Sequence, residues 1–359
     1  MSELSTTLPR LTIVIPTVSR AYCVGRAIES ALAQTYPHIE IIVSDNGSSD
    51  GTEEVIARYE DPRLRKFRHE ETMPSAVHGN FLLDQARGEF FLGLSDDDFL
   101  EPLFAEKVIA LFDRYPDLSF AYTGCWIHFG DVRVPCLVGP EVEDGLRFIE
   151  NHYGGWRNVC WCACVCKVSL MRKIGHLPLD TNIGDMYYWT QLAFMGRVGC
   201  VQEIVSNYIF LTTDNATGGV PPPLWAAEEK RFMEGVEARF FDRCANVERR
   251  ARLQKNLMCY LSITTTLQFV WVALRDKTKA QLLSYLPHVW GIIHFKGGLK
   301  YLIAAILLPR PLLRSIVIAR ARVTAQHNAG VLGCWRRHVW GRNPKLLVEL
   351  LPQTLDDSA

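Results

Sequence analysis

"GEFFLGLSDDDFLEP", residues 88–102, runs from an apolar stretch directly into three aspartates, Asp96, Asp97 and Asp98. The apolar part reads as a buried strand, so the three charges fall at its carboxyl end. Adjacent carboxylates repel one another strongly in a low-dielectric setting unless a cation or hydrogen-bond donors meet them. The plain alternative is an acidic turn that caps the helix starting near Pro102, since Asp is a good N-cap residue. The surrounding sequence decides between the two.

Upstream, "LTIVIPT" (residues 11–17) is a short branched run ended by a proline turn, as expected of a buried strand. A helix follows in "AYCVGRAIESALAQTYP", with Val24, Ala27, Ile28, Ala31 and Leu32 at helical spacing and a stop at Pro37. "IEIIVSD" then reads as a second strand, "SSDGTEEVIARYE" as a capped helix, "LRKFRHE" as a third strand and "AVHGNFLLDQARG" as a helix leading into the opening stretch. Strand and helix alternate at short intervals, which is the pattern of a mostly parallel, Rossmann-like sheet with helices on both faces. Ligands of such open sheets bind beyond the carboxyl ends of the strands. Both "VSDNGSSDGT" (residues 43–52) and the aspartate triplet lie at such ends, on one rim. In the former, Gly47 and Gly51 permit tight turns, Asp45 and Asn46 can reach a base or ribose, and Asp50 can cap the next helix.

In order and spacing, these elements resemble family 2 glycosyltransferases of the GT-A fold: strand-Pro-Thr, "AIESALAQTYP", "EIIVSDNGSSDGT", then "N…ARGEFFLGLSDDD". The resemblance is close over residues 11–102, weaker to about residue 215 and absent beyond. It implies that Pro16, Thr17, Asp45 and Asn46, with Asn80 on the intervening helix, line the pocket of a nucleotide-diphosphate sugar donor. Many members carry Asp where Asn46 stands; an Asn still accepts a hydrogen bond through its carbonyl oxygen but has no charge. The family's Asp-x-Asp element, which holds Mg²⁺ or Mn²⁺ against the diphosphate, begins here at Ser95. This shifts the burden onto Asp97 as direct ligand, with Asp96 toward the ribose and Asp98 in support. Hard carboxylate oxygens suit those ions. In "IGHLPLDTNIGDMYYWTQLAFMG" (residues 174–196) the resemblance places the catalytic base at Asp185, where members often read Glu-Asp and this chain reads Gly184-Asp185. A helix cap is the plain alternative, and Asp180 is the next candidate base. Trp189 is expected in the core, and His78 and His152 in structural roles.

The 359 residues are 48% hydrophobic and 22% charged, enough apolar material for a large core. Their zero formal charge hides a split: residues up to Trp225 carry −11 and those from Ala226 carry +11. Between Arg249 and Lys345 there are 17 basic residues and one acidic, Asp276. Such asymmetry points to an anionic surface as partner of the C-terminal part. "NLMCYLSITTTLQFVWVAL" (residues 256–274) is uncharged but diluted by polar residues, residues 280–295 contain Pro287, and "YLIAAILLP" is too short to span a bilayer. Helices lying in the membrane interface fit this better than spans, with a soluble bundle of basic exterior as the alternative. "TGGVPPPL" (residues 217–224) reads as a linker.

Eleven cysteines without a secretory leader indicate reduced thiols in a cytosolic protein, and the sequon at Asn215 reads as chance. Cys160, Cys162, Cys164 and Cys166 alternate in "VCWCACVCKV", which reads as a strand. Four thiols in line on one strand cannot converge on a tetrahedral ion without a turn between them, so small buried side chains are expected.

The expected organisation is a nucleotide-sugar-binding half (residues 1–105), an acceptor-binding half (106–224) and a basic helical membrane-associating region (225–359). The expected activity is metal-dependent, inverting transfer of a sugar to a hydroxyl of a lipid-linked or polysaccharide acceptor, by an enzyme peripheral to the cytoplasmic face of a membrane, with no nucleic-acid partner. Two other readings fit part of the pattern. One is an inactive glycan- or nucleotide-binding protein, to which Asn46 and Gly184 lend weight. The other is a nucleotidyltransferase, for whose Gly-rich basic loop "PTVSRAYCVGR" is a poor match.

Overall fold

The computed structural model describes residues 9–157, 159–179, 181–210, 220–274, 279–289, 292 and 303–339. The sequon at Asn215, Asp180 and the Gly218-Gly219 part of the linker lie outside the described residues. The first half alternates as the sequence implies: β1 (Leu11–Thr17), α1 (Val24–Leu32), β2 (Ile39–Asp45), α2 (Thr52–Ala57), β3 (Leu64–Arg68), α3 (Ser75–Gln85) and β4 (Phe90–Gly93). There follow β5 (Phe99–Leu100), α4 (Phe104–Arg114), β6 (Leu118–Phe129), β7 (Val132–Pro135), β8 (Val142–Glu143), α5 (Gly145–Tyr153), a 3₁₀ turn (Trp161–Ala163), β9 (Cys164–Lys167), α6 (Val168–Ile174), α7 (Gly184–Ala193) and β10 (Arg197–Ile209).

These strands form one sheet in the order β3-β2-β1-β4-β9-β6-β10-β5, with β7 beside β6 and β8 beside β10. The sheet is parallel across β3, β2, β1 and β4, as expected, and mixed beyond it. There β9 enters antiparallel between β4 and β6, while β10 runs parallel to β6. The mixture follows from connectivity, since β7 returns from β6 by a short hairpin and no crossover helix separates the two.

Residues of β1 and β2 point alternately to two cores. Leu11, Ile13, Ile15, Ile41 and Val43 join the face covered by α1 and α4, and Val14 and Ile42 the face covered by α5 to α7. The second core continues into the C-terminal helices α8 (Pro222–Arg243) and α9 (Val247–Leu274), which contribute Met233, Val236, Phe240, Leu253, Leu257 and Leu261. The chain beyond residue 224 therefore starts as an integral wall of the sheet domain. The distal half of α9, with Phe269 and Val272, packs instead with Leu282 of α10 (Lys279–Val289) and Leu313 of α11 (Arg310–Val339).

The cysteine-rich segment departs from the continuous strand expected of it. Only Cys164 and Cys166 alternate on β9, with sulfurs 3.8 Å apart, while Cys160 and Cys162 belong to the 3₁₀ turn. The turn seats Trp161 against β4, where a Cβ on Gly93 would fall 1.9 Å from the indole nitrogen.

Candidate active site

The carboxyl ends of β1, β2 and β4 meet at one rim. The Asn46 N–H donates to the Thr17 carbonyl at 2.8 Å, which ties the end of β2 to that of β1. Thr17 is buried with its hydroxyl beside the Asp96 carboxylate, and Pro16 is partly exposed next to it. The backbone turns sharply on either side. Gly47 has φ +78°, and a Cβ there would come within 2.9 Å of the Glu71 carbonyl carbon, so neither conformation nor space admits a larger residue.

Asp96 and Asp97 lie at this rim, 9% and 7% exposed. Burial pushes the Asp96 carboxyl up to about 6 despite the Thr17 hydroxyl and the Arg20 guanidinium, whose Nε is 4.0 Å away, and the Asp97 charge adds to the rise. Arg26 donates to the Asp97 carbonyl and lies over the Phe99 ring, 4.9 Å from its centroid. Two carboxylates held together at strand ends, one of them destabilised as an anion, are a donor set that suits a hard divalent cation. Asp98 differs. It is fully buried, its Oδ1 accepts the Ile209 N–H at 2.8 Å, and burial raises its carboxyl well above the usual range beside Cys162. It braces the turn through Oδ1, while its Oδ2 is buried without a hydrogen-bond partner.

Asp45 and both asparagines are more committed than the sequence suggests. Asp45 Oδ1 accepts from the Ser48 N–H at 2.9 Å and from its hydroxyl, and Oδ2 pairs with Arg68 at 3.2 Å. The Asn46 amide donates to the Met73 carbonyl and its oxygen accepts the Met73 N–H, each at 2.9 Å. The oxygen expected to meet a base is thus already in use, and an ionised Asp could not make the donating half of this clamp. Asn80 does the same to Leu177, donating to its carbonyl at 3.0 Å and accepting its N–H at 2.7 Å. It fastens the donor side of the fold to the loop leading into α7. Asp50 accepts the Thr52 N–H and hydroxyl, with Gly51 in the cap position of α2.

Asp185 sits in the first turn of α7, half-buried, accepting the Met186 N–H at 2.7 Å. It is not the cap, since Ile183 occupies that position. Burial raises its carboxyl above the usual range. A Cβ on Gly184 would lie 2.8 Å from a methyl of Leu177, the residue clamped by Asn80. Trp189 is in the core, and His78 and His152 are buried and hydrogen-bonded to Ser44 and to the Arg157 carbonyl.

The partners of Asp185 come from α8 and α9, which the sequence reading assigned to the membrane. Glu228 accepts from the Thr181 hydroxyl at 2.6 Å, the Asn182 N–H at 2.8 Å and the Asn182 amide at 2.8 Å, pinning the loop before α7. Glu229, 1% exposed, accepts from the Thr264 hydroxyl at 2.5 Å, and burial pushes its carboxyl up to about 8, with the Asp185 charge adding to the rise. Glu229 therefore keeps its proton to a higher pH than an ordinary glutamate. The adjacent acids Glu228 and Glu229 in a region of net positive charge were the one available sequence signal. Arg20 and Arg26 were also missed, although they follow β1 six residues apart.

The raised Glu229 value makes folding take up a proton. The associated stability is present below the unfolded value near 4.5 and is lost as pH rises through about 8. Glu229→Gln should therefore leave the thermal midpoint near pH 5 almost unchanged and raise it by several degrees relative to the parent at pH above about 8. Melts of both proteins across this range check it; parallel profiles would count against it.

Residues 12–133 match the family described as glycosyl transferase family 2. The undecaprenol-linked β-1,3-glucosyltransferase of Campylobacter jejuni, named for its GalNAc(5)-diNAcBac-PP-undecaprenol acceptor, is 38% identical over 97 residues, 26% of this chain and 31% of its own length. A glycosyltransferase of Nostoc is 29% identical over 243 residues, 64% of this chain and 72% of its own. The first curated relatives are matched over only 16% to 33% of their length. The crystal structure of Staphylococcus aureus TarS in complex with UDP-GlcNAc superposes with a TM-score of 0.60 at 16% identity, covering 93% of each chain. With the family match laid over the strands that build the rim and the fold match over nearly the whole chain, residues 12–133 resemble glycosyl transferase family 2 and the chain has the GT-A fold of TarS.

Proposed function

We propose that the protein transfers a sugar from a nucleoside diphosphate donor to an acceptor hydroxyl by a single, inverting displacement. The observation that carries this is the pairing of Asp96 and Asp97 at the end of β4, braced by Arg20 and Arg26 beside Thr17, with a third carboxylate, Asp185, in the first turn of α7. A uridine diphosphate sugar is the favoured donor, supported by the UDP-GlcNAc and UDP complexes of TarS.

Asp96 and Asp97 would hold Mg²⁺ or Mn²⁺, which when bound takes up negative charge on the departing diphosphate. Asp185 accepts the proton of the attacking hydroxyl as its oxygen reaches the anomeric carbon, and burial strengthens it as a base. Glu228 and Asn80 fix the loop that aims it. If this reading holds, UDP with Mn²⁺ should raise the thermal midpoint, and release of UDP from a UDP-sugar should follow an added acceptor. No stabilisation by any nucleoside diphosphate would overturn it. Binding without turnover would favour the inactive binding protein, the reading that Gly184 supports.

The acceptor proposed is lipid-linked, in keeping with the name of the Campylobacter relative, and the enzyme would sit at the cytoplasmic face of a membrane. One described helix, α9, is long and apolar enough to cross a bilayer, but 59% of its apolar window is buried within the protein. Its outer side carries Met258, Ile263 and Leu267, and Leu307, Leu312 and Val323 are exposed near Arg310, Arg314, Arg320 and Arg322. Apolar side chains flanked by arginines suit an anionic interface better than a span. The protein should sediment with phosphatidylserine-containing vesicles but not with neutral ones. High salt should release part of it, because exposed charges are screened within about 8 Å at physiological ionic strength. Equal behaviour toward both vesicles would refute the attachment.

A further inference from the structure

Three cysteines from three separate elements converge behind the rim. Cys125 lies on β6, Cys136 directly follows β7, and Cys160 opens the 3₁₀ turn. The Cys136 N–H donates to the Cys125 carbonyl at 2.9 Å, so the hairpin sets the first two side by side. All three sulfurs lie within 4.8 Å of one another, and those of Cys136 and Cys160 are 3.9 Å apart. In a tetrahedral zinc thiolate with bonds of about 2.3 Å, neighbouring sulfurs are about 3.8 Å apart. Cys162 stands outside this group and donates at 3.8 Å to the Asn207 carbonyl. Cys164 and Cys166 make only a pair and face the opposite core.

We propose that Cys125, Cys136 and Cys160 bind a zinc ion. The turn that defeats alternation along one strand is the feature that lets Cys160 leave the row and meet Cys125 and Cys136. Three convergent thiolates make a soft-ligand site that is chemically distinct from the carboxylate rim, where oxygen ligands suit harder ions. The ion ties the β6–β7 hairpin to the turn bearing Trp161, whose indole rests on Gly93, and Cys162 adjoins Asp98. It therefore fastens from behind the strand end that carries Asp96 and Asp97.

The full chain, purified with a reductant and no chelator, should contain about one zinc ion per molecule by elemental mass spectrometry. Cys136→Ser and Cys160→Ser should fall to background, whereas Cys164→Ser and Cys166→Ser should keep the metal. Should the first two variants not fold, the parent decides the matter: Co²⁺ added to the metal-stripped chain should give a near-ultraviolet thiolate-to-cobalt band that Zn²⁺ abolishes. The proposal is overturned by absence of both zinc and that band, by full zinc in both Cys136→Ser and Cys160→Ser, or by a Cys136–Cys160 disulfide in protein alkylated at lysis.

Discussion

Asp185→Asn is expected to lower the rate of sugar transfer by about 10²- to 10⁴-fold while leaving nucleotide-sugar affinity nearly unchanged. The substitution keeps the size of the side chain and an oxygen to accept the Met186 N–H, so the first turn of α7 is undisturbed. What it removes is basicity. Glu229 does not compensate, because its carboxyl keeps its proton to a higher pH than an ordinary glutamate and is already engaged by Thr264. A merely structural Asp185 predicts the opposite, since Ile183 holds the cap position and the local hydrogen bond survives. Initial rates with a saturating UDP-sugar, together with a separate measurement of donor affinity, distinguish the two. Transfer at the parental rate would move the base elsewhere.

The sequence disclosed the donor half of the fold more fully than the site within it. Strand and helix in residues 11–93 are short, strongly periodic and punctuated by Pro and Gly, so local pattern and tertiary structure agree there. The acceptor half is harder to read because β9 is inserted antiparallel between two strands distant in sequence, an arrangement no local periodicity encodes. Hydrogen-bond commitments are also invisible in one dimension. Asn46 and Asn80 have the composition of ligand-binding residues, yet each also clamps a peptide group, of Met73 or Leu177, brought near only by the fold. The same holds for Glu228 and Glu229: the long charge-biased tail suggests a membrane, while two of its few acids turn inward and frame Asp185. Side-chain chemistry identified the carboxylates, and topology decided which of them remain at the rim.

That distinction separates Asp97 from Asp98 and makes the pair the sharper test of the donor site. Asp97→Ala should abolish the added stabilisation that Mn²⁺ gives to UDP binding and reduce turnover by roughly 10²- to 10³-fold, the scale of several kcal/mol of lost charge stabilisation. The fold should survive, because Arg26 binds the Asp97 carbonyl, which alanine retains, and Asp96 remains beside Arg20. Asp98→Asn should behave differently. The amide oxygen still accepts the Ile209 N–H, and loss of a carboxylate whose ionised form burial already disfavours leaves the rim unchanged, so metal-dependent turnover should persist. If instead the triplet is only an acidic turn before α4, Asp97→Ala should cost at most about 1 kcal/mol of stability and leave activity intact. Melting curves with UDP, with and without Mn²⁺, and steady-state rates in both variants decide among these outcomes. Mn²⁺-dependent turnover retained in Asp97→Ala but lost in Asp98→Asn would reverse the assignment and place the cation deeper, against the turn that Asp98 braces.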